Sequence, residues 1–403
     1  MPFRIAISGI RAATADLNVI GNNIANVNTA GFKGSRAEFA DVFATSSTGV
    51  AGNASGQGVN TARVAQQFTQ GNITFTDNGL DLAISGQGFF VVDDNGAQLY
   101  SRDGGFGIDR EGFVVNANNQ RLKAFTADAS GNITGALSPL RISTANTAPQ
   151  ATTNVELGAN LDSQEAVPLV TPFDANDNAT FNFTTATTVF DSLGGGHLMQ
   201  FYFAKTGAGT WDVHTAVDGT IIGAASPIAF GTTGGLSTPV GGAITLPAFT
   251  PSGGGAAMNV SVNMTEMTQF GAPFGVNRVV QDGFTTGRLA GVDIDTQGNV
   301  FARFTNGQSE VQGQIALANF PNPQGLRALG QNNWAETFEA GSVLIGAPGS
   351  SSMGLVQAGA LEDSNVDLSE QLVKLIVAQR NFQASTKVIQ TADATTQSVI
   401  NIR

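Results

Sequence analysis

Apolar side chains recur at helical spacing near both ends of the chain. Phe3, Ile7, Ile10, Leu17 and Ile24 fall on one heptad seam, with Thr14 and Gly21 at its weak positions. Leu368, Leu372, Leu375, Phe382, Ile389 and Ile400 repeat the pattern at the other end. Steps alternating between four and three residues keep side chains facing one partner helix. The first pattern predicts a helix ending near Asn26, because Asn28-Thr29-Ala30-Gly31 is a turn cluster and Gly31 tolerates positive φ. The second has a defined start: Ser364-Asn365-Val366-Asp367 supplies cap residues, and Asp367 with Glu370 has capping-box spacing. A helix from Asp367 to Arg403 would run about 55 Å at 1.5 Å per residue. Its stripe is thin. A buried large aliphatic side chain contributes about 1.5–3 kcal/mol, while ordering each backbone unit costs about 1–2 kcal/mol. Six such side chains cannot hold a helix of that length without partners.

Between the ends the period changes to two. Leu80, Leu82 and Ile84 alternate with Asp81 and Ala83. Phe89 to Val92 and Leu99 to Arg102 flank Asp94-Asn95-Gly96, a strong hairpin signal. Asp109 to Gly112 turns into Phe113-Val114-Val115. Ala44 to Gly71, rich in Gly, Ser, Thr and Asn, reads as a linker. The texture shifts near residue 149, and strands such as Thr187 to Phe190 and Met199 to Phe203 then alternate with glycine-rich turns to about residue 283. Strands of the first kind resume at Gly291 to Asp295, Val300 to Phe304 and Gly313 to Phe320, the last stopped by Pro321 and Pro323.

The expected fold is mainly β with terminal α-helices. Two glycine-rich β domains are expected, the second inserted in the first. The boundaries read as follows: a helical coiled-coil domain at 1–30 and 362–403; linker at 31–70 and 359–361; a discontinuous first β domain at 71–148 and 284–358; an inserted β domain at 149–283.

Composition sharpens this picture. Charged residues are 12% of the 403, and Gly contributes 50, against usual shares of about 25% and about 7%. Asn, Gln, Ser and Thr must cover much of the surface, which suits close subunit packing because few charges need desolvating. The net charge of −12 comes with no Lys/Arg cluster, so phosphate neutralisation is not built in and nucleic acid is a poor candidate partner. No apolar run is long enough to span a bilayer. With no cysteine, disulfides and thiolate metal sites are excluded. Arg4 precedes the apolar run Ile5 to Ile10, and Ala13-Thr14-Ala15 mimics a cleavage site, but Arg11 breaks a run already too short for a signal peptide. The expectation is an uncleaved terminus.

Candidate chemistry is sparse. His197 and His214 lack zinc-ligand spacing. Asp174, Asn176 and Asn178 begin like an EF-hand loop, but Ala179 stands where glycine is needed and Thr185 where the bidentate Glu belongs. Gly86-Gln87-Gly88 runs into the strand Phe89-Phe90-Val91 instead of a helix, unlike a dinucleotide fingerprint. Asp93, Asp94, Asp109 and Glu111 sit in turns, where carboxylates are favoured for backbone reasons. No catalytic, cofactor or metal residue is assigned, and the chain is read as not an enzyme.

Met1 to Ile10, then Asn18 to Asn28 (NVIGNNIANVN) and Thr29-Ala30-Gly31-Phe32-Lys33, resemble the N-terminal signature of bacterial flagellar rod and hook proteins. Ser364 to Asp367, Leu368 to Arg380 and Asn381-Phe382 resemble their C-terminal signature. Gly79 to Val92 and Gly313 to Phe320 are similar to the family's middle region. Pro2 and Ile10 depart mildly from the pattern, and residues 149–283 match least. Signature positions carried over are Gly21, Asn22, Asn23, Asn26, Gly31, Phe32, Lys33, Ser364, Asn365, Val366, Asp367, Gln379 and Arg380. A second β domain inserted in the first resembles the hook branch. The distal rod branch, which is much shorter, is the alternative.

The resemblance implies an extracellular, flagellar location, with export unfolded through the flagellar type III apparatus. It implies self-assembly into a curved hollow tube, a universal joint passing motor torque to the filament. The terminal helices would line an inner tube. Implied partners are further copies of the chain, a hook cap protein, the distal rod protein, a hook–filament junction protein and the export apparatus. Two other classes stay open on the residues alone: an extracellular β-rich binding protein or adhesin, and a secreted hydrolase. The former would not need paired terminal heptads, and the latter would show turnover.

Overall fold

The computed structural model describes residues 2–42, 56–128, 130–350 and 352–401. Among the described residues there are two α-helices and a large set of strands, so the chain is mainly β with helices at its ends. It divides into two compact units. The first takes the chain up to Ser143, Gly291–Arg303 and everything from Ser309; the second takes Thr144–Ala290 with Phe304–Gln308.

The first unit contains α1 (Pro2–Ala25) and α2 (Leu368–Asn401). The two run antiparallel: Asn23 near one end of α1 meets Gln371 early in α2, and Gly9 lies against Ser385 further along α2. Among the described residues of α1 the buried ones are Ala6, Ala13 and Ile20, spaced by seven, together with Asn23. On α2 they are Gln371 and Ala378. The heptad period was legible, but the seam inside the chain sits one residue before the predicted one. Small side chains let the helix backbones approach closely, and a bulkier stripe would hold them apart. The predicted seam is left outside: Phe3, Ile7, Leu368, Leu372 and Phe382 are exposed, and Ile10, Leu17, Ile24, Leu375 and Ile389 are half-buried. The side chain of Ile400 lies outside the described residues.

The expected linker at 31–70 is a correction. It holds an antiparallel hairpin, β1 (Ser35–Asp41) and β2 (Val59–Gln66), with Ser35 opposite Gln66 and Asp41 opposite Val59. Ala37 and Ala65 are buried, and α1 lies against both strands. Small polar residues suggested a linker, but here they let strands and helix pack. Ser8 Oγ accepts a hydrogen bond from the Val59 amide, 3.1 Å. Residues 43–55 of the predicted linker lie outside the described residues.

The β part of this unit grows from β3 (Ile73–Phe75), β4 (Leu82–Ser85), β5 (Phe89–Asp94) and β6 (Ala97–Ser101). The apolar run Phe89 to Val92 is wholly buried, because β5 lies between β6 and the strand Arg121–Ala127. Asn95 and Gly96 both have positive φ, 51° and 94°, as a two-residue hairpin turn of this hand requires. Phe89, Tyr100, Phe320 and Trp334 form an aromatic cluster, with Tyr100 and Phe320 edge-to-face at 4.7 Å. β3 pairs with Ala360–Glu362, placing Glu362 opposite Ile73, a few residues before α2 begins.

The second unit is a sandwich of two sheets around its own core. One is centred on Asn154–Asp162. The other runs through Phe183–Phe190, Gly196–Gly207 and Thr210–Val217. Val155, Leu157 and Leu161 from the first meet Phe201, Phe203 and Trp211 from the second.

Candidate assembly site

The signature residues converge where the helices leave the first unit's β part. Their centre is a carboxylate that the sequence reading did not single out. Glu362 Oε1 accepts from Lys33 Nζ at 2.6 Å and from the Gly71 amide at 2.8 Å. Its Oε2 accepts from Arg102 at 2.8 Å. All three side chains are buried, with 1% of Lys33 and Glu362 and 5% of Arg102 exposed. Burial pushes the Lys33 ammonium down from its usual range, and Glu362 opposes that shift. The Arg102 guanidinium is pushed down by burial in the same way, again opposed by Glu362. Lys33 also donates to the Thr69 carbonyl, 2.8 Å, and Arg102 to the Gly86 carbonyl, 2.7 Å. Arg102 Nε has no hydrogen-bond partner among the described residues. Two cations on one buried anion hold only while every member stays paired.

The backbone around this group is equally constrained. Gly31 has φ +68°, and a Cβ there would lie 2.5 Å from the Arg102 backbone. Its amide donates to the Glu362 carbonyl at 2.7 Å. Asn23 treats Ser35 as a strand would, donating to its carbonyl and accepting from its amide, both at 2.8 Å. It also donates to Gln371 of α2 at 3.3 Å. Asn365 accepts from the Gly34 amide, 2.8 Å, and donates to the Gln67 carbonyl, 2.7 Å. Asn26 donates to the Asn22 carbonyl and accepts from Thr29. Ser364 Oγ accepts from the Val366 amide, and Val366 is buried. The result is a clasp joining α1, the hairpin, the first β unit and the start of α2.

Asp367 caps α2, its Oδ1 accepting from the amides of Ser369 (2.7 Å) and Glu370 (3.1 Å). Only half of the expected capping box is visible, because the Glu370 carboxylate pairs with Lys374 at 2.8 Å. Gly21, Gln379 and Arg380 stand apart from the clasp and are exposed. Nothing lies within 4 Å of a Cβ built on Gly21. Phe32 is half-buried at a cleft of about 300 Å³ that it shares with Asn22, Asn26, Asn332 and Trp334. Glu362, Arg102 and Gln371 were missed. A lysine within a turn-rich stretch is ordinarily solvated, so nothing local signals its partner, which is 329 residues away.

Beyond the clasp the helices present apolar side chains to solvent. Val373 is 62% exposed, Ile376 50%, Leu372 45% and Ile7 42%. A run of exposed apolar side chains, unlike a single one, marks an interaction surface. Among the described residues, no group of His, Cys, Asp and Glu could hold a metal ion, and no helix is long and apolar enough to cross a membrane.

The chain has a locked helix root, an exposed apolar helix pair and a β body in two units, and the comparisons identify its class as the axial proteins of the bacterial flagellum. Residues 3–33 match the flagella basal body rod protein family, and 83–160 the D1 domain of the flagellar hook protein FlgE/F/G family. Residues 160–284 match the flagellar basal body protein FlaE D2 domain, and 357–402 the flagellar basal body rod FlgEFG protein C-terminal family. The flagellar hook protein FlgE of Escherichia coli strain K12 is 39% identical over 413 residues, spanning 100% of both chains. That of Salmonella typhimurium strain LT2 is 39% identical over 416 residues, also 100% of both. That of Rhizobium meliloti is 31% identical over 415 residues, 99% of this chain and 98% of the relative. The crystal structure of Helicobacter pylori flagellar hook protein FlgE2 shares the fold, with TM-score 0.53 and 14% identity over 72% of this chain and 100% of that one. The chain belongs to the flagellar hook protein FlgE family.

Proposed function

We propose that this chain is the structural subunit of a flagellar hook, polymerising into a curved hollow tube that acts as a universal joint. The observation that carries the reading is the exposed apolar stripe of α1 and α2 above a locked root. A helix pair held rigidly at one end, with bulky apolar residues turned outward, suits packing against copies of itself. Full-length similarity to proteins named flagellar hook protein FlgE supports the same reading. Phe3, Ile7, Ile10, Leu17 and Ile24 on α1, with Leu368, Leu372, Leu375, Phe382 and Ile389 on α2, are the proposed contacts between copies. Gly21, exposed and with open space above it, suits a close approach by a neighbouring helix.

In this reading the segments 1–30 and 362–403 build an inner tube. Assembly requires no chemistry, so the role is structural and not catalytic. Partners would be further copies of this chain, a hook cap protein, the distal rod protein, a hook–filament junction protein and the type III export apparatus. The absence of cysteine suits export as an unfolded chain to the cell exterior. Electron microscopy of the purified, concentrated protein tests the reading. Hollow curved tubes are expected, and a protein that stays monomeric at every concentration would overturn it.

A further inference from the structure

His197 lies in the inserted unit, at the start of the strand Gly196–Gly207. Both of its ring nitrogens face a carboxylate. Nδ1 is 2.6 Å from Asp218 Oδ2, and Nε2 is 3.4 Å from Asp191 Oδ2. A neutral imidazole has one N–H donor and one lone pair. In that state one of these contacts would set a lone pair against a carboxylate oxygen, and only the imidazolium donates at both. Neither carboxylate is free to turn away. Asp191 Oδ1 accepts from the amides of Leu193 (2.9 Å) and Gly195 (2.7 Å), and Asp218 Oδ1 from the Leu198 amide (2.9 Å).

The ring therefore joins two turns. One is Asp191 to Gly195; the other is Asp218-Gly219, where both residues have positive φ, 48° and 79°. The first turn is packed from behind. A Cβ on Gly255 would lie 2.7 Å from Asp191 Oδ2. One on Gly194 would lie 3.0 Å from Pro149 and 3.2 Å from Thr285, where the chain passes into and out of the unit. Asp191 and Asp218 are the ionisable groups facing the ring. Val189, opposite His197 in the sheet, and the segment Gly253 to Ala256 bring none.

We propose that His197 is a proton-operated clasp at the root of the inserted unit. Protonated, it ties the two turns together. When it loses a proton, the shorter contact to Asp218 keeps the remaining N–H and the contact to Asp191 opens. The turn packed on Pro149 and Thr285 then loosens. The electrostatics agree. Burial works to lower the imidazole's proton affinity, but the hydrogen bonds it donates to Asp218 and Asp191 outweigh it and hold the group above its ordinary value. Asp218 is held below the usual carboxylate range chiefly by His197. Asp191 is raised by burial but lowered more by the Gly195 and Leu193 amides together with His197. For a raised histidine, the stabilisation is complete below the unfolded value of about 6.5 and is lost as pH rises through the folded value. For the lowered carboxylates, it is present above the unfolded value of about 3.9 and lost as pH falls. The clasp is thus closed in mildly acidic solution and opens on the alkaline side.

The chain has two histidines, so the full-length monomer gives two imidazole Cε1–H signals to follow by NMR. His197 is expected to titrate above the free-imidazole value. His214, stacked on Phe173 and lowered by burial, is expected below it. The inserted unit's thermal midpoint should fall as pH rises through the His197 titration, and His197→Gln should be flat over that window. A His197 titration at or below the free-imidazole value overturns the proposal, as do matching pH profiles of wild type and His197→Gln. If His197→Gln fails to fold, Asp218→Asn at the half-exposed partner decides. It should move the His197 titration to lower pH, and an unmoved titration overturns the proposal.

Discussion

The terminal helices and the inserted unit handle apolar side chains in opposite ways. In the inserted unit Trp211, Phe201, Phe203, Leu157 and Leu161 are completely or almost completely buried between two sheets. In the helices the large residues are mostly exposed or only half-buried, and the buried positions are largely small or polar: Ala6, Ala13, Asn23, Gln371 and Ala378, with Ile20 the exception. One region satisfies its hydrophobic surface within the chain. The other leaves it unsatisfied and is anchored instead by a buried ion group and side-chain amides. On the proposed function, stability and assembly are encoded in different residues, and mutations can separate them.

The largest expected effect on the subunit comes from the anchor. Glu362→Ala leaves Lys33 and Arg102 buried without their anion. Removing one partner of a buried pair costs about 3–5 kcal/mol. Hydrogen exchange should show α1, α2 and the hairpin opening readily, while the inserted unit's amides keep their protection. Equal loss in both regions would break the contrast, because it would make the clasp a part of one shared core.

The mirror-image change lies in the sandwich. Leu157→Ala, at a site 1% exposed, should cost about 2–5 kcal/mol. That loss should appear in the inserted unit's unfolding alone, with the helix amides unchanged. If tubes still assemble from this variant at temperatures below its unfolding, the division of labour is sharpened.

Much of the architecture was legible beforehand, for physical reasons visible in the residues. Asn95-Gly96 announced its hairpin because two positive φ angles are needed there. The start of α2 was readable from Asp367, which caps it. The phase of the α1 seam was not. A heptad of large residues predicts a contact, but sequence alone does not say whether the partner belongs to the same chain. Here the intrachain partner took the small residues one position earlier. The clasp was half legible: Lys33, Asn23 and Asn365 stood in the signature, but Glu362 did not, because ion pairing over 329 residues leaves no local pattern. The hairpin at 35–66 was hidden for a different reason. Its small and polar residues read as linker until α1 supplies the surface on which they pack.

The smallest expected effect on the subunit tests the comparison most directly. Leu372 is 45% exposed on α2, so Leu372→Asp removes little packing from the lone chain. Surface changes of this kind stay within about 0.5 kcal/mol, and an acidic residue near a helix N-terminus is mildly favourable. The monomer's unfolding should therefore barely move. In a tube the same position would be covered by a neighbour, and the new carboxylate would become an unpaired buried ion costing several kcal/mol. Symmetry repeats that defect in every copy, so tubes should be abolished while the monomer remains intact. Thermal unfolding and electron microscopy on one preparation of the variant check both halves. A clear drop in monomer stability would mean that Leu372 belongs to the chain's own fold. Tubes that persist unchanged would mean that the stripe is not where copies meet.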